Sequence, residues 1–106
     1  MLGFKWSASE KKVARRVFEA ALKVELAEVM AEFKARAVAA AEPDDMWSIE
    51  EYLRSRRYKI DNKYDYRYSQ LPMVFGRLLR EGRIQEAELV GLSEDKLSYM
   101  WRVASL

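Results

Sequence analysis

Between Ser7 and Pro43 the chain holds no glycine and no proline, and this unbroken run constrains the fold more than any other feature. Ser7 and Glu10 form an S-x-x-E capping box, in which each side chain satisfies the other's free backbone donor, so a helix starts near Ala8. Pro43 disfavours helical conformation at the residue before it. The reading is a helix over 8–41, roughly 34 residues and about 50 Å long. Its apolar stripe runs Phe18, Leu22, Leu26, Val29, Phe33, Ala37, widened by Val13, Val17 and Met30. Glu19 with Lys23 and Glu32 with Arg36 are spaced to pair on the outer side.

That length has a consequence. A compact chain of 106 residues has a radius of gyration of about 13 Å, hence a diameter of about 35 Å. The helix outreaches one such domain while its stripe stays apolar to Phe33 and Ala37, and an exposed stripe of that extent calls for a partner. A second copy of the chain is the simplest one, and coiled-coil pairing with a different protein is the alternative. The expected dimer helix residues are Leu22, Leu26, Val29 and Phe33.

The rest of the chain reads as helical too. Two prolines and four glycines leave few breaks. Pro43-Asp44-Asp45 makes a turn, with an aspartate as N-cap of a second helix over 45–61. Ile49, Leu53, Ile60 and Tyr64 point inward, and Asp61-Asn62 closes the helix because asparagine tolerates a left-handed cap. A C-terminal helical head over 65–106 follows. Its first helix spans about Asp65 to Glu81 by the apolar spacing of Met73, Phe75, Leu78 and Leu79, with Pro72 either in the first turn of a later start or at a kink. Gly82 is a C-terminal cap. A short helix lies around Gln85 to Val90, and Ser93 caps a last helix through Lys96, Met100 and Val103, where Glu94 and Asp95 suit the positive helix end. The fold class is all-α, one domain over 1–106.

Composition excludes most chemistry. There is no cysteine and no histidine, so disulfides, thiolate metal sites and the commonest general base are absent together. Asp44/Asp45 and Glu50/Glu51 are sequence neighbours about 100° apart on a helix and do not converge on one atom. Asp61 and Asp65, about one turn apart, could share a cation, but caps and salt bridges explain them as well. Neither catalysis nor a metal site is expected. Nineteen basic against seventeen acidic residues is too even a balance for a nucleic-acid binder, which needs a concentrated basic face. Arg54, Arg56, Arg57 and Lys59 run beside Tyr52 and Tyr58, but Glu50 can pair with Arg54 and Asp61 with Arg57. No apolar run reaches membrane-spanning length and the first residues do not read as a signal peptide, so a soluble cytoplasmic protein without membrane insertion is expected.

Residues 44–69, DDMWSIEEYLRSRRYKIDNKYDYRYS, carry the candidate function. Trp47, Glu51, Arg54, Tyr58 and Asp61 recur at four and three residues, one side of a helix. Aromatic and arginine side chains on one stripe are the composition of a protein-binding surface. The competing reading is a tryptophan anchored in the core with charges solvated around it. Tyr64, Tyr66 and Tyr68 alternate across a turn, either packed between helices or forming a rim beside Trp47.

Asp45-x-Trp47, Leu53, Arg56-Arg57, Ile60-Asp61-x-Lys63-Tyr64-Asp65 with Arg67 and Ser69, then Val74-Phe75, Leu78-Leu79-x-Glu81-Gly82, Glu88-Leu89 and Asp95-Lys96, with Trp6-Ser7 near the start, form one ordered pattern. With that pattern the chain resembles the fluorescence recovery protein family of cyanobacteria. The resemblance covers nearly the whole chain. It implies a non-enzymatic, all-α homodimer joined through the long helices. Such a dimer binds the photoactivated orange carotenoid protein, mainly its C-terminal domain, and speeds its return to the resting orange form and its detachment from the phycobilisome. It implies no cofactor of its own, the carotenoid belonging to the partner, and a cytoplasmic place of work, peripheral at thylakoid-associated phycobilisomes.

By position the resemblance assigns Trp47, Glu51 and Arg57, with Met46 beside them, to a patch near the dimer interface, to which Arg54 belongs by spacing and Glu50 as the residue that can pair with it. It assigns Met73, Phe75 and Tyr99 to the head surface that meets the carotenoid protein. The chain departs from the family at Glu50-Glu51, where His-Asp is usual, at Met73 for an aromatic residue and at Tyr99 for a basic one. The alternative function is the same homodimeric scaffold serving a different protein client.

Overall fold

The computed structural model describes residues 3–106. Four α-helices follow one another: α1 (Ala8–Ala39), α2 (Pro43–Lys63), α3 (Leu71–Arg80) and α4 (Glu94–Ala104), with a 3₁₀ turn at Glu86–Leu89 before the last. Among the described residues no strand forms, so the fold is all-α. The chain up to Ala21 together with Tyr64–Leu106 makes one compact unit, the head, and Leu22–Lys63 makes a second, the hairpin.

In the head, the start of α1 follows from its capping box. Ser7 Oγ accepts from the Glu10 N–H at 3.1 Å and Glu10 Oε1 accepts from the Ser7 N–H at 3.0 Å. Ala14, Val17, Phe18 and Ala21 are buried with Leu71, Val74, Phe75, Leu78, Leu79, Ile84, Leu89, Leu92 and Met100. Helix α3 lies close on α4 at Gly76, where an added Cβ would come within 2.6 Å of Val103 Cβ. Gly82, at φ +72°, ends α3 as the sequence implies. Its N–H donates to the Leu79 carbonyl at 3.0 Å and the Arg83 N–H to the Leu78 carbonyl at 2.9 Å, the paired bonds of a left-handed helix cap. Ser93 Oγ accepts from the Lys96 N–H at the start of α4.

Helix α3 starts at Leu71, six residues after the expected Asp65, with Pro72 in its first turn. A proline tolerates that position because its missing N–H has no helical partner there. The preceding residues are instead fixed by side chains. Arg67 Nε donates to Asp65 Oδ1 at 2.9 Å, and the three tyrosine rings cluster, Phe18 meeting Tyr64 at 5.4 Å and Tyr66 at 4.8 Å edge-on.

In the hairpin, α2 starts at Pro43, earlier than the expected Asp45. Asp45 is not the N-cap. It lies in the first turn, and its Oδ2 reaches back to accept from the Ala41 and Glu42 N–H groups at 2.8 and 2.9 Å. At its other end α2 runs on to Lys63. Asn62 stays helical and donates from Nδ2 to the Tyr58 carbonyl at 2.9 Å. Lys63 is buried with its Nζ 2.7 Å from a carboxylate oxygen of Glu25, itself buried, and Arg56 Nη2 lies 3.2 Å from the same group. Glu32 pairs with Arg36 as expected, at 2.7 Å, and the Arg36 guanidinium also stands 4.2 Å over the Tyr52 ring. Glu19, in the head, pairs with Arg15 at 3.4 Å; the expected partner was Lys23.

Candidate functional site: the outer face of α2

Ile49 and Leu53 are half-buried and Ile60 buried, which turns the opposite side of α2 outward. Met46, Trp47, Glu50, Glu51, Arg54, Arg57, Tyr58 and Asp61 are all exposed. Trp47 is 64% and Tyr58 71% exposed, so the tryptophan is not anchored in a core. Large rings left in water on a helix are unfavourable for a lone chain and typical of a binding surface.

Glu50, Arg54, Arg57 and Asp61 of this face are paired among themselves. Arg54 Nε donates to Glu50 Oε2 at 2.9 Å, and a second bond joins Arg54 Nη2 to Glu50 Oε1. The hydrogen bond from Arg54 holds the Glu50 carboxyl below its ordinary range, and the same bond makes Arg54 more basic. Arg57 reaches Asp61 at 3.7 Å. Arg56, next in sequence, turns instead to buried Glu25. The arginines of the basic run are thereby divided, two to their own acids and one inward, while Lys59 and Glu51 stand exposed beside them. A face whose arginines are largely neutralised in place recognises a partner by shape and geometry more than by net field.

The stripe of α1 splits along its length. Val17 and Phe18 are buried in the head, Leu22 and Val29 are half-buried, and Leu26 and Met30 are 48% and 57% exposed, with Phe33 also in water. Of the expected dimer residues, Leu26 and Phe33 therefore stand open on the hairpin while Leu22 and Val29 are partly covered. Of the head residues, Met73 is 49% exposed on α3 and Tyr99 is half-buried on α4, its ring edge-on to Phe4 at 6.0 Å. Phe75 is a correction. It is fully buried, because it lies on the inward side of α3 with Leu71 and Leu78, and it supports the head surface from beneath without being part of it.

Sequence reasoning missed the buried charges and Trp101. Glu25 continues the Ala14, Phe18, Ala21 series by four residues, so its phase marked it as inward. Trp101 is exposed on α4, and its Nε1 donates to Glu86 Oε1 at 2.5 Å; its outward position on a short amphipathic helix was the available signal. Among the described residues no cluster of three or more acids could hold a metal ion, and no helix is long and apolar enough to cross a membrane.

These features define a class: an all-α scaffold that carries its chemistry on open helix faces. The sequence profile described as photoprotection regulator fluorescence recovery protein matches residues 6–105. The fluorescence recovery protein of Synechocystis sp. PCC 6803 is 38% identical over 101 residues, 95% of this chain and 93% of that protein. The solved structures of the Fremyella diplosiphon and Synechocystis fluorescence recovery proteins superpose with a TM-score of 0.90 each, at 34% and 37% identity, covering 96% of this chain and 100% of theirs. The chain belongs to the fluorescence recovery protein family, whose role is the regulation of photoprotection.

Proposed function

We propose that this protein is a non-enzymatic regulator that binds the photoactivated orange carotenoid protein, mainly through that protein's C-terminal domain. Binding accelerates its return to the resting orange form and its detachment from the phycobilisome, ending photoprotective quenching. The observation that carries this reading is the exposed Trp47–Asp61 face of α2 on a scaffold of this family. The mechanism is differential binding. A partner that prefers the compact arrangement of the carotenoid protein shifts its population and lowers the barrier back to it. No cofactor of this chain takes part.

The working form is a homodimer. Leu22, Leu26, Val29 and Phe33 of α1 pair with their copies, Met46 and Trp47 flank the seam, and Glu50, Glu51, Arg54 and Arg57 line it. Met73 and Tyr99 give the head contact, Phe75 holding α3 in place below. It acts in the cytoplasm, at the phycobilisome surface.

The test is the dark relaxation of a photoactivated orange carotenoid protein, followed by absorbance with and without this protein. Acceleration is the expected result. Glu50, committed to Arg54 where the family usually carries histidine, together with Met73 and Tyr99, favours a second reading in which the same dimer serves another protein client. A folded dimer that leaves several carotenoid proteins unaffected would select that reading.

A further inference from the structure

The fold sorts charges that nearly balance in sequence. Between Lys5 and Arg16 the single acid is Glu10, and it is turned inward. Its Oε1 accepts from the Ser7 N–H at 3.0 Å, and its Oε2 accepts from the Ser93 N–H and from Lys96 Nζ, both at 3.0 Å. Lys5, Lys11, Lys12, Arg15 and Arg16 remain exposed. The nearest acid along α1 is Glu19, which takes one bond from Arg15. Glu88, whose carbonyl accepts from Arg16 at 3.2 Å, spends its carboxylate on the Gln85 N–H at 2.9 Å.

Two of these cations are seated on rings. Lys11 Nζ stands 5.1 Å over Tyr68 and Arg15 Cζ 4.1 Å over Tyr66. The rings are fixed in turn by Phe18, by Trp6 at 5.5 Å from Tyr68, and by each other at 5.6 Å. Cations held this way lose less side-chain freedom on docking. Lys11 with Arg15, and Lys12 with Arg16, form two neighbouring rows, the members of each one helical turn apart, a spacing that carboxylates on a facing helix or loop can meet.

We propose that the Lys5–Arg16 face of the head is a docking surface for an acidic segment of a protein partner, in addition to the α2 face and independent of which client that face serves. A lipid surface fits less well. The exposed residues of 7–20 are Ser7, Ala8, Ser9, Lys11, Lys12, Arg15, Arg16, Glu19 and Ala20, with no large apolar side chain to enter the bilayer boundary. Single-stranded nucleic acid needs free rings on which bases stack, and Tyr66 and Tyr68 are covered by their cations and by each other. Carboxylates, paired one to one with fixed cations, fit this face best.

Anisotropy of a fluorescein-labelled polyglutamate peptide, titrated with the full chain, tests this. Lys12→Glu with Arg16→Glu is expected to weaken binding at least about tenfold, while Lys23→Glu with Lys34→Glu, the same charge change on the hairpin, leaves it within about twofold. Lys11→Gln with Lys12→Gln, which removes both charges and leaves polar side chains on the helix, is expected to weaken it several-fold even where the charge reversal disturbs folding by circular dichroism. Raised ionic strength is expected to weaken binding of the unaltered chain. No binding of the peptide, equal losses from head and hairpin variants, or tighter binding of anionic vesicles or a single-stranded oligonucleotide would each overturn the proposal.

Discussion

The head closes a core around Leu71, Phe75, Leu78, Leu89 and Met100, none with measurable exposure, whereas Ile60 is the only apolar side chain of the hairpin that is buried among the described residues. The hairpin instead leaves Val24, Leu26, Met30, Phe33, Val38, Met46, Trp47 and Tyr58 in water. Both units also bury one ionic cluster, Glu10 with Lys96 in the head and Glu25 with Lys63 in the hairpin. A buried ion pair adds little net stability, since desolvation offsets the attraction, but removing one partner is costly. The head thus carries a surplus of apolar burial against that cost and the hairpin carries almost none. The difference makes the hairpin the unit expected to gain most from a partner.

The largest expected effect comes from breaking those clusters. Lys96→Met withdraws the cation from buried Glu10 and should cost about 3–5 kcal/mol of stability, and Glu25→Leu, which withdraws the carboxylate that Lys63 and Arg56 share, should cost a similar amount. Urea unfolding followed by circular dichroism measures both. If the contrast holds, the head variant keeps a cooperative transition at lower urea, and the hairpin variant loses helix first.

Leu26→Glu and Met46→Glu put a charge into the proposed seam and should weaken dimerisation by about 2 kcal/mol or more, read by sedimentation across a concentration series. A dimer indifferent to both changes would mean that the apolar row of the hairpin has another occupant. Gly76→Ala, in the head, should cost about 1–3 kcal/mol by overpacking against Val103, with sedimentation unchanged.

A pH series sharpens the same contrast. Hydrogen bonding from the Ser7 N–H, and then from Lys96 and the Ser93 N–H, lowers Glu10 from 4.5 to about 2 against the opposing effect of burial. A depressed carboxyl contributes stability that is complete above its unfolded value and lost as pH falls through the folded one. Head stability from this group should therefore decline between about pH 4.5 and pH 2, and Glu10→Gln should flatten that part of the profile in thermal melts.

The legible parts of the sequence were local. The Ser7/Glu10 box, Gly82 and Ser93 each act within a few residues, and the structure places all three as the chain implies. The i,i+4 pairs Glu32–Arg36, Glu50–Arg54 and Arg57–Asp61 also formed. What escaped depends on distant residues. Glu25 meets Lys63 across 38 positions and Glu10 meets Lys96 across 86; a charge in an apolar phase reads as a defect until its partner is known. The end of α2 and the start of α3 moved for the same reason. Lys63 is drawn in by Glu25, and the 64–68 segment is held by ring contacts with Phe18 and Trp6 in place of helical bonds.

The smallest expected effect on stability is at Trp47 and Arg57. Trp47 is mostly in water and the Arg57 and Asp61 side chains are 85% and 70% exposed, so Trp47→Ala and Arg57→Leu should each change the monomer's stability by less than about 0.5 kcal/mol. Their effect on association or on carotenoid-protein recovery should be larger than that, because a ring left in water by the free chain returns its burial only when a partner covers it, and truncating such an anchor costs about 2 kcal/mol or more in binding. Relaxation rates and sedimentation of the two variants, beside their melting curves, measure that gap. Variants that assemble and accelerate recovery like the unaltered chain would show that the α2 face is solvated surface, and would leave the hairpin's exposed row on α1 as the part of the molecule that waits for a partner.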